Sequence, residues 1–403
     1  ELQQQLLARS KEASADFPRP ITRKFDDKIG SGKLRVAYLS SDFYSHATAF
    51  LLSGLFEEHD QNKFEIHVFS YGFNDVNDPF RKRIRDAVGH RFLDVSRWSD
   101  DAIAASITNQ NIDIAIELKG YTQNSRPFLL HKKPAPIQIN YLGFPGSMGQ
   151  SYIDYFISDQ YTVTPDNRAQ FSEKIVKLPV FYQPPDSNRR VSSESSKKSN
   201  NLPEAGIILG AFNSIYKLTP ELFNFWLDLL ENYSETYLWL LEPVGGARRR
   251  LLELVKLRNI PRERIIFAPF AEQSQHIERL KFIDIFMDTY PCVGHTTATD
   301  VLFRNVPLVT IAGETFASRV AASALFHIDC SELIAHSFEE YKKIIKKLIE
   351  SPELRAELRA KIQKNTEAKE LFNTKKYTSI WEQTLEILHN RWKEGKQPED
   401  MEI

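Results

Sequence analysis

Cysteine is scarce in this sequence. Its 403 residues include only two cysteines, Cys292 and Cys330. Two cysteines cannot form a disulfide framework or a cysteine-rich zinc site, and such low usage is typical of proteins from a reducing compartment. The composition therefore predicts a cytoplasmic protein.

An excess of charge of one sign is also missing. Lysine and arginine together number 52 against 53 aspartates and glutamates, which gives a net charge of -1. This balance gives no reason to expect nucleic acid as a partner, so any anion-binding site must be local. No apolar run approaches the length of a membrane span and no signal peptide is visible, so we expect no membrane partner.

Several motifs of well-known enzyme classes are absent as well. The sequence has no G-x-G-x-x-G after a strand, no G-x-x-x-x-G-K-[ST] and no G-x-S-x-G. Their absence disfavours dinucleotide enzymes, P-loop ATPases and α/β-hydrolases. The sequence also contains no closely spaced His, Asp and Glu residues of the kind that form metal sites. We therefore expect neither a metal nor a cofactor. The chemistry that remains is that of nucleotide sugars, which needs cationic or N–H groups for a diphosphate and one general base.

The apolar pattern that is present indicates an α/β protein. With 42% hydrophobic and 26% charged residues, the chain has the composition of a globular protein and the length for two domains. From Lys33 onward, short apolar runs alternate with amphipathic segments of helical length, which is typical of βαβ units and parallel sheets. We predict two doubly wound, Rossmann-like domains that face a cleft, followed by C-terminal helices.

Changes in composition predict the domain boundaries. Residues 1–32 begin like a helix and then contain Pro18, Pro20 and Gly30, which indicates a helical remnant and a linker. A second stretch, rich in Pro, Ser, Asn, Arg and Lys, has too few apolar residues to form a core. The predicted boundaries are 33–182 for the first domain, 183–204 for the linker, 205–350 for the second domain and 351–403 for helices that brace one domain against the other.

The stretch Asp288–Asp300 is a candidate anion-binding turn. An apolar run, 285–287, leads into a turn with Gly294, and Thr296 or Thr297 can cap the helix that follows. The free N–H groups in the first turn of a helix bind anions, and a diphosphate would fit there. Taken alone, the stretch is explained equally well as an ordinary connection between a strand and a capped helix.

An ordered series of motifs between residues 33 and 330 resembles the catalytic region of the O-linked N-acetylglucosamine (O-GlcNAc) transferases, glycosyltransferase family 41. The motifs are Ser40-Ser-Asp-Phe and His46, Gly120-Tyr-Thr, Pro134-Ala-Pro-Ile-Gln, Leu142-Gly-Phe-Pro-Gly, Phe212-Asn-Ser-Ile-Tyr-Lys217, Arg264-Ile-Ile-Phe, Gly294-His-Thr-Thr and Glu314-Thr-Phe-Ala-Ser-Arg-Val. The resemblance implies a GT-B fold with an acceptor-side first domain and a nucleotide-sugar-binding second domain. It also implies an inverting, metal-independent transfer of N-acetylglucosamine from UDP-N-acetylglucosamine to Ser or Thr of protein acceptors.

The resemblance further implies tetratricopeptide repeats upstream, which would mediate acceptor binding or dimerisation. The chain begins at Glu1 without a methionine, so we expect an internal fragment. Three alternatives remain open: transfer from UDP-glucose to Asn, transfer from GDP-fucose to Ser or Thr, and a noncatalytic GT-B scaffold that binds partners.

The resemblance also implies the residues that hold the donor. Lys217 would neutralise the diphosphate, which Thr296 and Thr297 would meet at the start of their helix. Asp300 would accept hydrogen bonds from the ribose, although an acidic residue in a first helical turn also compensates the helix dipole. His276 would stack on uracil, or it is a solvent-exposed helix histidine. The implied donor-binding set is Gly143, Asn213, Lys217, Ala271, His276, Arg279, Cys292, His295, Thr296, Thr297 and Asp300.

At two donor positions the outcome is open. Gln273 stands where the family has a lysine, so one ribose contact is weaker or replaced. Cys292 matches a family cysteine beside the N-acetyl group, but a small buried apolar residue explains it equally well.

The implied catalytic residues are His46 and Lys217. His46 follows the first predicted strand, where the family has a histidine near the reacting centre, and imidazole suits a general base near neutral pH. A second family histidine is matched by Asp113 or has no counterpart, which puts a two-histidine mechanism in doubt.

Overall fold

The computed structural model describes residues 32–72, 75–192 and 194–403. These residues form two compact units. The first unit contains the described residues up to Ser187 together with Asn373–Ile403, and the second is Asn188–Phe372. Apart from Gly32, the predicted helical remnant of residues 1–32 lies outside the described residues.

Strands and helices alternate through the second unit and, in the first unit, from Leu34 to Glu117, as the apolar pattern predicts. The strands are β1 Leu34–Ser40, β2 Phe64–Ser70, β3 Phe92–Asp94, β4 Ile114–Glu117, β5 Ile137–Asn140, β6 Tyr155–Asp159, β7 Lys174–Leu178, β8 Ile207–Ala211, β9 Thr236–Leu241, β10 Ile265–Ala268, β11 Ile285–Met287, β12 Leu308–Ile311, β13 Ile334–Ala335 and β14 Met401–Glu402. The helices are α1 Ala47–Glu58, α2 Pro79–Val88, α3 Asp100–Asn109, α4 Pro220–Asn232, α5 Ala247–Leu257, α6 Gln273–Arg279, α7 Thr296–Phe303, α8 Val320–His327, α9 Phe338–Glu350, α10 Pro352–Ala368 and α11 Thr374–Lys393. The described connections from β4 to β7 contain no α-helix. The sequence analysis missed β13 and β14, because two residues carry no periodicity.

The described part of the first unit has an eight-stranded sheet in the order β14-β7-β6-β5-β4-β1-β2-β3. Its strands are parallel, and β1 and β4 are neighbours although the chain between them also forms β2 and β3. The chain therefore reverses the direction of strand addition between β1 and β4. In open parallel sheets ligands bind at the carboxyl ends of the two strands where this reversal occurs.

The described part of the second unit has a six-stranded parallel sheet in the order β10-β9-β8-β11-β12-β13. Here the reversal lies between β8 and β11, which pair directly. The segments that follow these two strands, Phe212–Lys217 and Asp288–Thr297, therefore meet at one edge of the sheet. Both belong to the motifs that the sequence analysis singled out.

Helix α11 belongs to the first unit. Trp381 on this helix is fully buried, donates a hydrogen bond from Nε1 to Oη of Tyr38 at 2.7 Å and stacks on Tyr141 with ring centroids 4.8 Å apart. Helix α10, in contrast, is part of the second unit. The predicted helical segment 351–403 is therefore divided, because Trp381 of α11 packs on Tyr38 of β1 and on Tyr141, directly after β5.

The predicted linker 183–204 also differs from the structure. The chain passes from the first unit to the second between Ser187 and Asn188. On either side of this point, Asp186 and Arg189 are buried, and each forms an ion pair inside its own unit. Composition alone assigns charged residues to solvent, but a partner of opposite charge allows them to be buried.

We expect Trp381→Ala to lower the free energy of unfolding by about 3–5 kcal/mol, because a fully buried indole is removed and Tyr38 loses its donor. The control is Trp98→Ala in the same unit, where the side chain is 41% exposed. Urea unfolding of both variants measures the difference. An equal decrease in the free energy of unfolding in both variants would contradict the conclusion that Trp381 fixes α11 to the first unit.

Candidate nucleotide-sugar site

The carboxylate of Asp288, directly after β11, organises the candidate anion-binding turn. Its Oδ1 accepts hydrogen bonds from N of Gly294 at 2.7 Å, from N of Thr289 at 2.9 Å and from Nδ2 of Asn213 at 2.6 Å. Its Oδ2 accepts from Oγ1 of Thr310 at 2.7 Å. Burial raises the pKa of Asp288, and the bonds from Thr310 and Gly294 oppose this shift. One carboxylate therefore joins the turn to β12 and to the segment after β8.

Gly294 lies where the turn is tightest. A Cβ atom at this position would lie 3.1 Å from Oδ1 of Asn213 and 3.2 Å from Oδ1 of Asp288. Both contacts are closer than ordinary van der Waals distances, so a larger residue would push the turn away from the carboxylate. Asn213 Oδ1 is buried and has no hydrogen-bond partner in the described chain.

Helix α7 begins with uncapped N–H groups. The prediction that Thr296 or Thr297 caps this helix is wrong, because both are helical and His295 occupies the cap position without a side-chain hydrogen bond to the helix. N of Ala298 and N of Thr299 donate to O of His295 at 3.1 and 3.4 Å. The N–H groups of Thr296 and Thr297 are therefore the ones that have no acceptor within the helix. The start of α7 can therefore donate to an anion, as the sequence analysis expects.

Lys217 lies over the same turn. It ends the short 3₁₀ turn after β8, and its Nζ donates to O of Val293 at 2.8 Å. The neighbouring His295 has its pKa lowered to about 4, first by burial and then by the charge of Lys217, and its Nε2 donates to O of Ala317 at 3.1 Å. The turn therefore combines a neutral imidazole with one lysine charge.

His276 on α6 is half-buried and does not have the exposed position that the alternative interpretation expects. Its ring lies 5.7 Å from that of Phe212, and Arg279 donates to its Nδ1 at 3.0 Å. Burial and the charge of Arg279 lower the pKa of His276 to about 4. The result is a neutral imidazole with a fixed orientation, which suits stacking on a base.

Two further positions flank His276. Ala271 is half-buried in the loop between β10 and α6. Gln273 has a buried Nε2 that lacks a hydrogen-bond partner in the described residues. Arg279 is itself buried, which lowers its pKa to about 10. Its hydrogen bond to Nδ1 of His276 therefore fixes the orientation of that ring.

Asp300 on α7 is buried and paired with a residue that the sequence analysis assigned to the linker. Arg189 donates from one terminal nitrogen to Oδ1 of Asp300 at 2.6 Å. Burial raises the pKa of Asp300 to about 6, and the charge of Arg189 opposes this shift. Asp300 is the fifth residue of the helix and lies inside the fold, so dipole compensation alone does not explain it.

Cys292 is half-buried, whereas Cys330 is completely buried and its pKa is raised to about 11 by burial. The core interpretation therefore fits Cys330 better than Cys292. The backbone oxygen of Cys292 accepts from Oγ1 of Thr289 at 2.8 Å, which fixes it within the Asp288 turn.

His46 lies in the first unit at the start of α1. Its Nδ1 accepts from N of Thr48 at 3.2 Å and lies 3.5 Å from Oδ2 of Asp42. The pKa of His46 is lowered, mainly by burial. The carboxylate of Asp42 opposes this shift, and the charge of Lys119 adds to it. Because Nδ1 accepts from Thr48, the proton of the neutral ring lies on Nε2. The other tautomer, with Nδ1–H toward Asp42, would leave Nε2 free to act as a base.

Asp42 and Lys119 lie just after β1 and β4, at strand ends where the sequence pattern predicts chemistry, whereas Glu117, the last residue of β4, was not singled out from the sequence. Lys119 forms a buried ion pair with Asp42. Glu117 accepts from N of Lys119 at 2.6 Å, from N of Gly120 and from Oη of Tyr71 at 3.1 Å. Burial raises the pKa of Glu117 to about 7. A charged residue at the end of an apolar strand was the signal that could have found Glu117.

Two other candidates have a structural explanation in the first unit. A Cβ atom on Gly143 would lie 1.9 Å from O of Leu118, so glycine is required where the loop after β5 meets the loop after β4. Asp113 accepts from N of Arg35 at 2.8 Å. It precedes β4, at the end of the strand opposite to Lys119, so it does not join the His46 cluster.

In the described residues, no group of three or more His, Cys, Asp or Glu side chains is arranged to hold a metal ion. The helices of the same part of the chain include none with the length and apolar character of a membrane span.

Comparison with known proteins identifies the family. Residues 18–192 and 185–381 match the model of glycosyl transferase family 41. The chain belongs to this family. The family that the motifs suggested is thereby confirmed.

Three relatives of this family 41 chain are informative. A probable UDP-N-acetylglucosamine-peptide N-acetylglucosaminyltransferase of Arabidopsis thaliana, SEC, is 35% identical over 96% of this chain and 40% of its own length. The UDP-N-acetylglucosamine-peptide N-acetylglucosaminyltransferase of Caenorhabditis elegans is 25% identical over 90% of this chain and 41% of its own. A mutant O-GlcNAc transferase of Thermobaculum terrenum has a solved structure with a TM-score of 0.84 at 23% identity, covering 97% of this chain and 74% of that one.

These comparisons establish the fold and the extent of the match. The two parallel sheets and the likeness to the Thermobaculum structure confirm the GT-B fold. The chain spans about 40% of the length of the first curated relatives.

Glu117 predicts a pH dependence of stability. Its pKa is about 7 in the fold against an ordinary value of 4.5, so the folded state binds more protons between these values. The free energy of unfolding should therefore fall by an amount on the order of 1–3 kcal/mol as pH rises from 4.5 to 7, and Glu117→Gln should remove this fall. Urea unfolding between pH 4.5 and 8 measures it. The control is Asp86→Asn, which changes an exposed carboxylate. If Glu117→Gln keeps the pH dependence of the unaltered chain, Glu117 is not its cause.

Proposed function

We propose that this chain is the catalytic region of a protein O-GlcNAc transferase. It would transfer N-acetylglucosamine from UDP-N-acetylglucosamine to Ser or Thr hydroxyls of proteins, with inversion and without a metal ion or another cofactor. The names of the Arabidopsis and Caenorhabditis relatives support the donor and the peptide acceptor. The observation that carries the proposal is the convergence of Lys217 and the uncapped start of α7 on the turn after β11.

The donor fits the second unit as follows. The diphosphate accepts from the first N–H groups of α7 and faces the ammonium of Lys217. The neutral imidazole of His276 stacks on uracil, and Asp300 accepts from the ribose. Half-buried Cys292 lies in the same turn, beside the position of the sugar.

The reaction is a single displacement. A general base removes the proton of the acceptor hydroxyl, whose oxygen attacks the anomeric carbon on the face opposite to UDP. The bond from this carbon to the phosphate oxygen breaks, and its electron pair leaves with UDP. Negative charge on the diphosphate grows in this step, so Lys217 stabilises the transition state more than the bound donor. His46 is the proposed base.

The partners follow from this reaction. They are a UDP-sugar and protein acceptors, and upstream tetratricopeptide repeats that bind acceptors or mediate dimerisation are part of the proposal. The region matched by this chain covers 40% and 41% of the length of two curated relatives, which extend beyond it.

Transfer in the presence of a chelator tests the proposal. We expect the chain to label protein acceptors with UDP-N-acetylglucosamine equally with and without EDTA, because Lys217 and the α7 N–H groups supply the positive charge. Mass spectrometry of the acceptor measures the transfer, with UDP-glucose and GDP-fucose as parallel donors. Loss of transfer in EDTA that Mg²⁺ or Mn²⁺ restores would refute the metal-free mechanism. No binding of UDP would favour a noncatalytic scaffold.

Lys217→Ala should lower turnover by about 30- to 1,000-fold and weaken donor binding less, because its charge acts mainly on the leaving diphosphate. Lys217→Arg should recover part of the rate, since a planar guanidinium does not reproduce a compact charge. The control is the exposed Lys256→Ala on α5. Steady-state kinetics and UDP titration separate the two effects. More than about a third of the original turnover in Lys217→Ala would exclude this role.

His46→Ala should lower turnover by roughly 10²- to 10⁴-fold with UDP affinity nearly unchanged. A base must be unprotonated, so turnover should rise with pH and level off above the pKa of His46, which burial keeps below its ordinary value of 6.5. Asp42→Asn removes the carboxylate that raises this pKa and should move the rise to lower pH. An unchanged turnover in His46→Ala would mean that another group is the base.

A further inference from the structure

Arg189 and Asp300 form a buried ion pair beside the proposed donor site. Their side chains are only 1% and 8% exposed, and the nitrogen–oxygen distance is 2.6 Å. The guanidinium carbon of Arg189 also lies 5.7 Å from the ring centre of Phe303 and 5.9 Å from that of Phe372. These contacts hold the arginine in one orientation, and through it they hold the carboxylate.

The hydrogen bonding of this pair is incomplete. Among the described residues, Nε and the second terminal nitrogen of Arg189 are buried and donate to no acceptor. Buried donors without acceptors are costly, and apolar residues often replace a buried ion pair without loss of stability. Stability alone therefore does not explain why an arginine is present.

Asp300 has an oxygen left for a ligand. Arg189 binds Oδ1, and no donor in the described chain binds Oδ2. The side chain keeps a small exposed fraction, so one oxygen can still meet a ligand while the other is held. A carboxylate with one oxygen fixed accepts well from hydroxyl groups, because its charge and orientation are set before the ligand arrives.

The segment that contains Arg189 reaches both helices of the proposed donor site. Arg189 contacts α7 through Asp300, and N of Ser192 donates to O of Ser274 on α6 at 3.2 Å. Helix α6 carries His276, the proposed uracil contact. This segment therefore joins the ribose side of the site to the base side, although its composition is that of a linker.

We propose that Arg189 is a positioning residue for the donor: it orients Asp300 so that the free carboxylate oxygen accepts from the ribose hydroxyls, and it thereby makes the site prefer ribonucleotides. This assignment rests on the proposed binding of UDP. Burial of Asp300 raises its pKa and Arg189 opposes that shift, so the arginine also keeps the carboxylate ionised as a hydrogen-bond acceptor.

The test is calorimetric titration of UDP and 2′,3′-dideoxy-UDP into the unaltered chain and its variants. We expect the unaltered chain to bind UDP about 10- to 100-fold more tightly than the dideoxy compound. In Arg189→Met, the affinity for UDP should fall by a similar factor, while the affinity for the dideoxy compound should change by less than about twofold. Arg189→Lys should recover part of the preference. The control, Arg190→Met, removes the adjacent exposed charge and should behave like the unaltered chain.

Several outcomes would overturn the assignment. Equal weakening of both nucleotides in Arg189→Met would mean that the arginine only stabilises the fold, and an unchanged preference would mean that it does not act on the ribose contact. If Arg189→Met fails to fold, Asp300→Asn carries the test, and an unchanged ribose preference in it would overturn the assignment too. Failure of the unaltered chain to bind UDP would instead overturn the proposed function, and this assignment with it.

Discussion

The arrangement of the second unit depends on the buried carboxylate of Asp288. This single group accepts hydrogen bonds from the segment after β8, from the turn after β11 and from β12. Tyr341 on α9 adds a bond to its backbone oxygen at 2.9 Å. Because the carboxylate holds the turn, the backbone oxygen of Val293 lies within reach of Lys217 and α7 starts in a fixed direction. The geometry of the candidate anion-binding turn thus depends on one buried carboxylate.

Burial also determines which charges the site retains. His295 and His276 both have their pKa lowered to about 4, so neither carries a charge near neutral pH. Lys217 remains half-buried over the turn, next to the uncapped start of α7. In the proposed function, the ammonium of Lys217 and the backbone dipoles of α7 would face a diphosphate, and such preset groups need little rearrangement when its charge grows.

Local patterns explain which parts of the molecule the sequence analysis predicted. At the start of α4, for example, Thr219 accepts from N of Leu222 at 3.3 Å and Pro220 is the first helical residue, and both are local signals of a helix start. The parallel strands were also recognisable, because strands buried on both faces are continuous apolar runs. The cap of α7 was mispredicted, because His295 takes the cap position in a turn that Asp288 shapes from outside the helix. Local preference gave way there to a tertiary contact.

By itself the sequence determined most of the strands and helices, because apolar periodicity is a local property of the chain. Its ordered motifs also carried the resemblance that implied the family, the GT-B class and the candidate residues. Only the tertiary structure decided which of these residues meet. It joined Lys217 to the α7 turn and paired Arg189 with Asp300, 111 residues later in the chain. It also assigned α11 to the first unit and separated Asp113 from His46. Ion pairs and strand order bring distant residues together, and patterns within a short stretch of sequence do not predict these contacts.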